Sequence, residues 1–195
     1  VSVLSAAVLL FLVIDPLGNV PFFLCVLKKV DEKRRKAIIL RELGIAFGLL
    51  VLFLFSGRYL LVLLQVSESA LNIAGGIILF IIAIRMIFYG AEKVFDDTPE
   101  GEPFIVPLAV PSVAGPSAMA TVLLLMAREP ARWPEWLFAL AAACLLSGII
   151  LFFSSGLIRL LGERVLAATE RLMGMILTTV AVEMFLNALR TLYRP

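Results

Sequence analysis

Apolar residues run through this chain in six long blocks, at about 2–27, 43–65, 69–89, 104–126, 135–160 and 172–190. Within a block the apolar residues neither alternate with polar ones, as in a half-buried strand, nor stop after a few residues. Each block is close to the roughly 20 residues that a helix needs to cross the hydrocarbon core. The pattern predicts an all-α membrane protein of six transmembrane helices, a single transmembrane domain over 1–195. The second, third, fifth and sixth blocks read as uninterrupted helices. The first is interrupted by Asp15-Pro16-Leu17-Gly18-Asn19-Val20-Pro21 and the fourth by Pro111-Ser112-Val113-Ala114-Gly115-Pro116-Ser117. Proline removes a backbone donor and clashes with the preceding turn. Backbone freed in this way is not satisfied by lipid, so both breaks are expected to be buried in protein or to line a polar cavity.

The two breaks fall in equivalent halves. Leu52-Phe53-Leu54-Phe55-Ser56-Gly57 matches Leu151-Phe152-Phe153-Ser154-Ser155-Gly156 at an offset of 99, and Ala83-Ile84-Arg85-Met86 resembles Ala181-Val182-Glu183-Met184 at 98. Gly18 meets Gly115 at 97. Apolar helices resemble one another by chance, and the near-constant offset is what carries the signal. Two repeats follow, about 2–90 and 103–193, joined by the acidic stretch 90–103. Each holds three spans, so the second enters the membrane the opposite way round. Inverted repeats with paired broken helices are a design of secondary transporters, with the binding site at the breaks.

Composition sharpens this picture. Hydrophobic residues make up 62% of the chain and charged ones 16%, against roughly 45–50% and 25% in soluble domains. Mean hydropathy is +1.05. The net charge of +2 is too small to imply a nucleic-acid partner. The basic run 28–36 has a chemistry that suits nucleic acid or anionic lipid, and its simplest reading is a loop that fixes orientation. Twelve of the 17 Lys and Arg residues fall on the side of the 1–2, 3–4 and 5–6 connections. The positive-inside rule then puts both termini outside. The first block has no basic n-region and runs into Asp15-Pro16 where a cleavage site would stand, unlike a signal peptide. Trp133 and Trp136 read as an interfacial anchor on the outer side.

The chain contains no histidine, which removes the commonest metal ligand and general base. Cys25 and Cys144 lie in apolar blocks and read as buried small side chains. No metal site, cofactor or catalytic constellation is expected, and the protein is not read as an enzyme. Of the acidic residues, Asp15 and Glu183 sit well inside apolar blocks, where a charge costs at least about 2.5–3.5 kcal/mol. Asp15 has two readings: a helix cap before Pro16, or a group that binds a substrate ammonium or exchanges a proton. Glu183 is a candidate for ion or proton coupling, paired with Arg85 or beside a water-filled vestibule. Gly18 and Gly115 either admit a ligand to the backbone or pack helices. Asn19, Ser112, Ser117 and Thr121 are candidate polar contacts, with capping and back-bonding as the alternatives. Helix restarts beyond the breaks would direct amides at an anionic group, which suits the carboxylate of a zwitterion.

Asp15-Pro16-Leu17-Gly18-Asn19-Val20-Pro21, followed by Pro107-Leu108-Ala109-Val110-Pro111-Ser112-Val113-Ala114-Gly115-Pro116, resembles the paired signature of the MarC family of bacterial and archaeal membrane proteins. Glu170-Arg171-Leu172-Met173-Gly174 is similar to that family too. The resemblance implies six transmembrane helices in two inverted halves, a place in the cytoplasmic (inner) membrane, and kinship with SnatA-type transporters of small neutral amino acids. The expected function is therefore secondary transport of a glycine- or alanine-like solute, coupled to protons or another ion. The alternatives are a non-transporting structural or regulatory membrane protein and a small-solute channel. Expected partners are the bilayer, the small-molecule substrate and, in a homo-oligomer, further copies of the chain. The orientation is checked by reporter fusions at Pro195, which should report the exterior; a signal confined to the cytoplasm rejects it.

Overall fold

The computed structural model describes residues 2–28, 30–63, 67–89, 108–154 and 158–193, and these are helical apart from short joints. The acidic stretch 90–103, with Glu92, Asp96, Asp97, Glu100 and Glu102, lies outside the described residues. Seven α-helices follow in order: α1 (Val3–Ile14), α2 (Pro16–Val26), α3 (Glu32–Leu63), α4 (Glu68–Tyr89), α5 (Pro116–Arg128), α6 (Trp133–Ser154) and α7 (Ile158–Tyr193). A wide turn at Leu108–Val113 precedes α5 and a tight one at Pro130–Arg132 precedes α6. Among the described residues there is no strand.

Four stretches are long and apolar enough to cross a bilayer: Val3–Val26, Lys33–Gly57, Pro130–Ser154 and Arg171–Thr191. Ile73–Tyr89 and Pro116–Arg128 are apolar but shorter. The second of these is short because the helix is broken before Pro116, and 104–107 fall outside the described residues.

The core is built from one stripe of each long helix and from the C-terminal half of α2, where Phe22, Phe23, Leu24, Cys25 and Val26 are all buried. On α3 the stripe is Ile38, Ile39, Glu42, Leu43, Ala46, Leu50 and Leu54; on α6 it is Trp136, Ala139, Leu140, Ala143, Ser147 and Leu151. These steps of three and four are the period of a helix with one inward face. The opposite faces carry large exposed apolar side chains such as Leu4, Leu12, Phe138, Leu145 and Phe153. In lipid such faces cost nothing, so association rests on close packing and internal hydrogen bonds.

α1 packs on α5 and α6, α2 on α6, α7 and the 108–113 turn, α3 on α5, α6 and the same turn, and α4 on α5 and α7. The α4–α7 contact is the most extensive, and glycine removes the side chain at both ends of it. A Cβ at Gly76 would stand 3.0 Å from the Ala181 carbonyl, and one at Gly174 would stand 2.6 Å from Ile87. The C-terminus of α2 is closed by Arg35. Its Nε donates to the carbonyls of Leu27 (3.1 Å) and Val30 (2.8 Å), and its Nη2 to that of Lys28 (3.0 Å).

Two elements differ from expectation. Trp136 does not face the membrane interface. It is buried, its Nε1 donates to the Glu129 carbonyl at 3.0 Å, and Arg132 stacks 4.6 Å over its ring. Trp133 is the exposed one and meets Phe55 edge-on. The helix turn that places Trp133 outward carries Trp136, three residues on, to the inward stripe. The first break is also narrower than 15–21, since Pro21 lies inside α2.

The packing predicts the effect of one substitution. Gly76→Val should lower stability by about 1–3 kcal/mol through overpacking and give a polydisperse sample in thermal and size-exclusion measurements. Gly44→Ala is the control, because its Cβ meets nothing within 4 Å.

Candidate functional site

The first break is a single residue. Asp15 ends α1, its amide donating to the Phe11 carbonyl, and starts α2, where its Oδ1 accepts from the Gly18 amide at 3.0 Å. Among the described residues it is the one non-glycine residue with positive φ (46°, with ψ 62°). Asp and Asn are the side chains that best tolerate this left-handed conformation, and both are good N-caps. Pro16 follows at the first helical position, where a missing amide hydrogen costs nothing. Gly18 has a local reason as well: a Cβ there would come within 2.1 Å of the Asp15 carboxylate.

The second break is longer. Val110 is extended (φ −127°, ψ 129°) and the Ala114 amide reaches back five residues to Ala109 at 2.8 Å. The Ser112 hydroxyl donates to the Leu108 carbonyl. The chain re-enters helix at Pro116 behind Gly115, and no side chain caps α5. Asp15 and Gly115 thus hold the same place, the residue before the proline that opens a helix. Their offset is 100 rather than the 97 that relates Gly18 to Gly115, so the two glycines are not equivalent: Gly18 lies inside α2 and Gly115 lies before α5.

Asn19 joins the breaks. Its Nδ2 donates to the Ile14 carbonyl at 2.8 Å and to the Ser112 carbonyl at 3.1 Å. Both carbonyls lie at the interruptions, one at the end of α1 and the other in the 108–113 turn. One side-chain amide therefore satisfies one oxygen from each break, across 93 residues of sequence.

Beside this clamp lies a cavity of about 220 Å³. Asp15, Gly18 and Asn19 line it from the first break, and Ser112, Gly115, Ser117 and Ala118 from the second. Leu79 of α4 and Met173, Ile176, Leu177, Val180 and Met184 of α7 complete an apolar wall. Six of the seven sequence-predicted binding residues are thus together. Thr121 is not among the lining residues, and its hydroxyl donates to the Ser117 carbonyl one turn back at 2.8 Å. Glu183 is not there either. It lies on an exposed face of α7 and meets Arg190 at 3.4 Å rather than Arg85. Arg85 is itself exposed on α4.

The chemistry of the cavity follows from its walls. A carboxylate and the polar groups of two helix breaks stand on one side, and aliphatic and thioether groups on the other. The uncapped start of α5 supplies partial positive charge, and Asp15 supplies negative charge. One side of the cavity thus offers both signs of charge and the other an apolar surface. Among the described residues no cluster of metal-ligating side chains occurs.

A sequence profile described as MarC family integral membrane protein matches residues 1–193. The chain belongs to the MarC family. The UPF0056 inner membrane protein YhgN of Escherichia coli K12 is 49% identical over 190 residues, covering 97% of this chain and 96% of its own length. A UPF0056 membrane protein of Buchnera aphidicola subsp. Schizaphis graminum is 42% identical over 193 residues, with 99% and 98% covered. One from Chlamydia pneumoniae is 36% identical over 188 residues, with 95% and 93% covered. No solved structure matches. With relatives named as inner membrane proteins and several membrane-length apolar helices, this MarC chain is a multi-pass integral membrane protein.

One buried acidic residue escaped the sequence reading. Glu42 is fully buried on the inward stripe of α3, with its Oε1 accepting from Arg41 Nη2 at 2.8 Å and Nε at 2.9 Å. It precedes the apolar block at 43–65 by one residue and so read as part of the polar connection. The signal was its register, four residues before Ala46 and eight before Leu50. Glu129 and Arg132 form a half-buried cluster with Glu135 between α5 and the start of α6; hydrogen bonding from Arg132 holds the Glu129 carboxyl below its ordinary range.

Three substitutions separate the roles in this site. Asp15→Asn keeps a capping oxygen and a side chain suited to positive φ, so it should leave thermal stability nearly unchanged. Asp15→Ala should cost about 1–2 kcal/mol through the lost cap. Asn19→Leu leaves two carbonyls without their donor and should cost more, at about 1–3 kcal/mol for each group. Equal stability of Asp15→Ala and Asp15→Asn, read by thermal unfolding in detergent, contradicts the capping geometry.

Proposed function

We propose that this MarC-family protein is a secondary transporter of small neutral amino acids, of glycine or alanine size, in the inner membrane. The observation that carries this reading is the cavity shared by two helix breaks, with Asp15 at one break and the uncapped start of α5 at the other. The substrate carboxylate is received by the amides of Ser117 and Ala118 and its ammonium by Asp15. Ala118, Gly115 and the aliphatic wall of α7 leave room for a hydrogen or a methyl group as the side chain.

The helix pairings support an inverted repeat as the frame. Exchanging α1 and α2 for the 108–113 turn and α5, α3 for α6, and α4 for α7 leaves the pairings between sequence-distant elements unchanged. The α1–α6 contact becomes that of the turn with α3, α2–α7 becomes α5–α4, and α3–α6 and α4–α7 map onto themselves. With three spans in each half the exchange reverses direction through the membrane. Six spans and two exterior termini belong to this reading. Alternating access then amounts to rocking of one half against the other around the breaks. Coupling is assigned to Asp15, which lines the cavity, rather than to Glu183, which does not.

Uptake of labelled glycine or alanine into proteoliposomes should accelerate when a proton or sodium gradient is imposed. Asp15→Asn should fold and lose most of that uptake. Gly115→Val should insert normally and lose binding, because its side chain fills the cavity. Uptake that ignores every gradient points to a channel, and absence of uptake for all small neutral amino acids rejects the transport reading.

A further inference from the structure

A second concavity lies away from the breaks, on the outer surface between α3 and α6. It encloses about 400 Å³ and its lining is wholly apolar or small. Gly44 and Gly148 form part of its lining, with Phe47, Leu145 and Phe152 among the walls. A Cβ at Gly44 would meet no atom within 4 Å, so the groove stands open there. Leu40 and Leu145 beside it are exposed.

The groove has one charged end. Lys33, Lys36, Leu40, Gly44 and Phe47 recur at helical spacing along one face of α3. The Lys36 ammonium lies 4.7 Å from the centre of the Phe152 ring, at the end of the groove. Residues 28–36 carry six basic and two acidic side chains, so the local field at this end is positive. From Lys36 to Phe47 the helix rises about 16 Å, close to half of the roughly 30 Å hydrocarbon core. The groove therefore runs through one leaflet, from a cationic edge to the bilayer centre.

We propose that this groove is a binding site for an anionic phospholipid, with one acyl chain between α3 and α6 and the phosphate at Lys36 and Lys33. The apolar lining matches an acyl chain and nothing polar. The lysines supply the charge-assisted contact that separates an anionic headgroup from a zwitterionic one. The proposal is independent of what the central cavity transports.

The test uses the purified full chain in neutral detergent, with native mass spectrometry and thermal unfolding after addition of phosphatidylglycerol or phosphatidylcholine. The wild type should retain phosphatidylglycerol preferentially and unfold at a higher temperature with it than with phosphatidylcholine. Gly44→Leu fills the groove and should lose the retained lipid. Lys33→Gln combined with Lys36→Gln leaves the groove open and should bind both lipids alike. Equal retention of the two lipids by the wild type overturns the proposal. So does a phosphatidylglycerol preference that survives in the double lysine variant, or a retained lipid that survives in Gly44→Leu.

Discussion

A backbone carbonyl or amide inside a bilayer has to find its partner within the protein, and the centre of this fold is arranged around that requirement. Two helices are interrupted by proline, and each interruption frees groups that an unbroken helix would pair. Three local devices meet the need. Asp15 caps α2 with its own carboxylate, Asn19 donates to one carbonyl from each break, and the Ser112 hydroxyl turns back onto Leu108. The Asn19 clamp matters most, because it ties the two breaks together where the helices are weakest. The remaining packing then has a fixed centre: α4 and α7 close on one side through Gly76 and Gly174, and α3 and α6 on another.

This arrangement links stability with function. Breaks that were merely satisfied would leave no room, whereas here the cavity lies beside the clamp and shares its residues. Asp15 serves both purposes in the proposed account. One oxygen holds the Gly18 amide, and the carboxylate as a whole presents charge to the cavity. Such a group is expensive at membrane depth, and the cost is offset locally by the cap. Glu42 shows the other solution. It is buried among apolar residues and bonded to its neighbour Arg41, away from the cavity.

Much of the fold was legible in the sequence, for a physical reason. A membrane span requires a long apolar run, and a proline inside one stands out, so both interruptions were visible as Asp15-Pro16 and Gly115-Pro116. The break side of the cavity followed from the same signal, since freed backbone groups need partners inside the protein, whereas its α4 and α7 wall did not. What was not legible depended on side-chain direction. Asn19 was recognisable as polar but not as a bridge, because its second acceptor lies 93 residues away. Glu183 was conspicuous by its charge, yet helix rotation turns it from the cavity toward Arg190. Gly18 and Gly115 looked equivalent because both are glycine. Their positions relative to the adjoining proline give them different work.

In the proposed function the two breaks form one site for a small zwitterion, with the start of α5 receiving the carboxylate. Solid-state magnetic resonance tests it most directly, using carboxyl-labelled glycine and protein carrying labelled amide nitrogens at Ser117 and Ala118. Dipolar coupling is expected between the glycine carboxyl carbon and these amides, as when a carboxylate oxygen accepts at about 2.9 Å. Coupling that is absent while glycine remains bound would contradict it and place the site elsewhere in the protein.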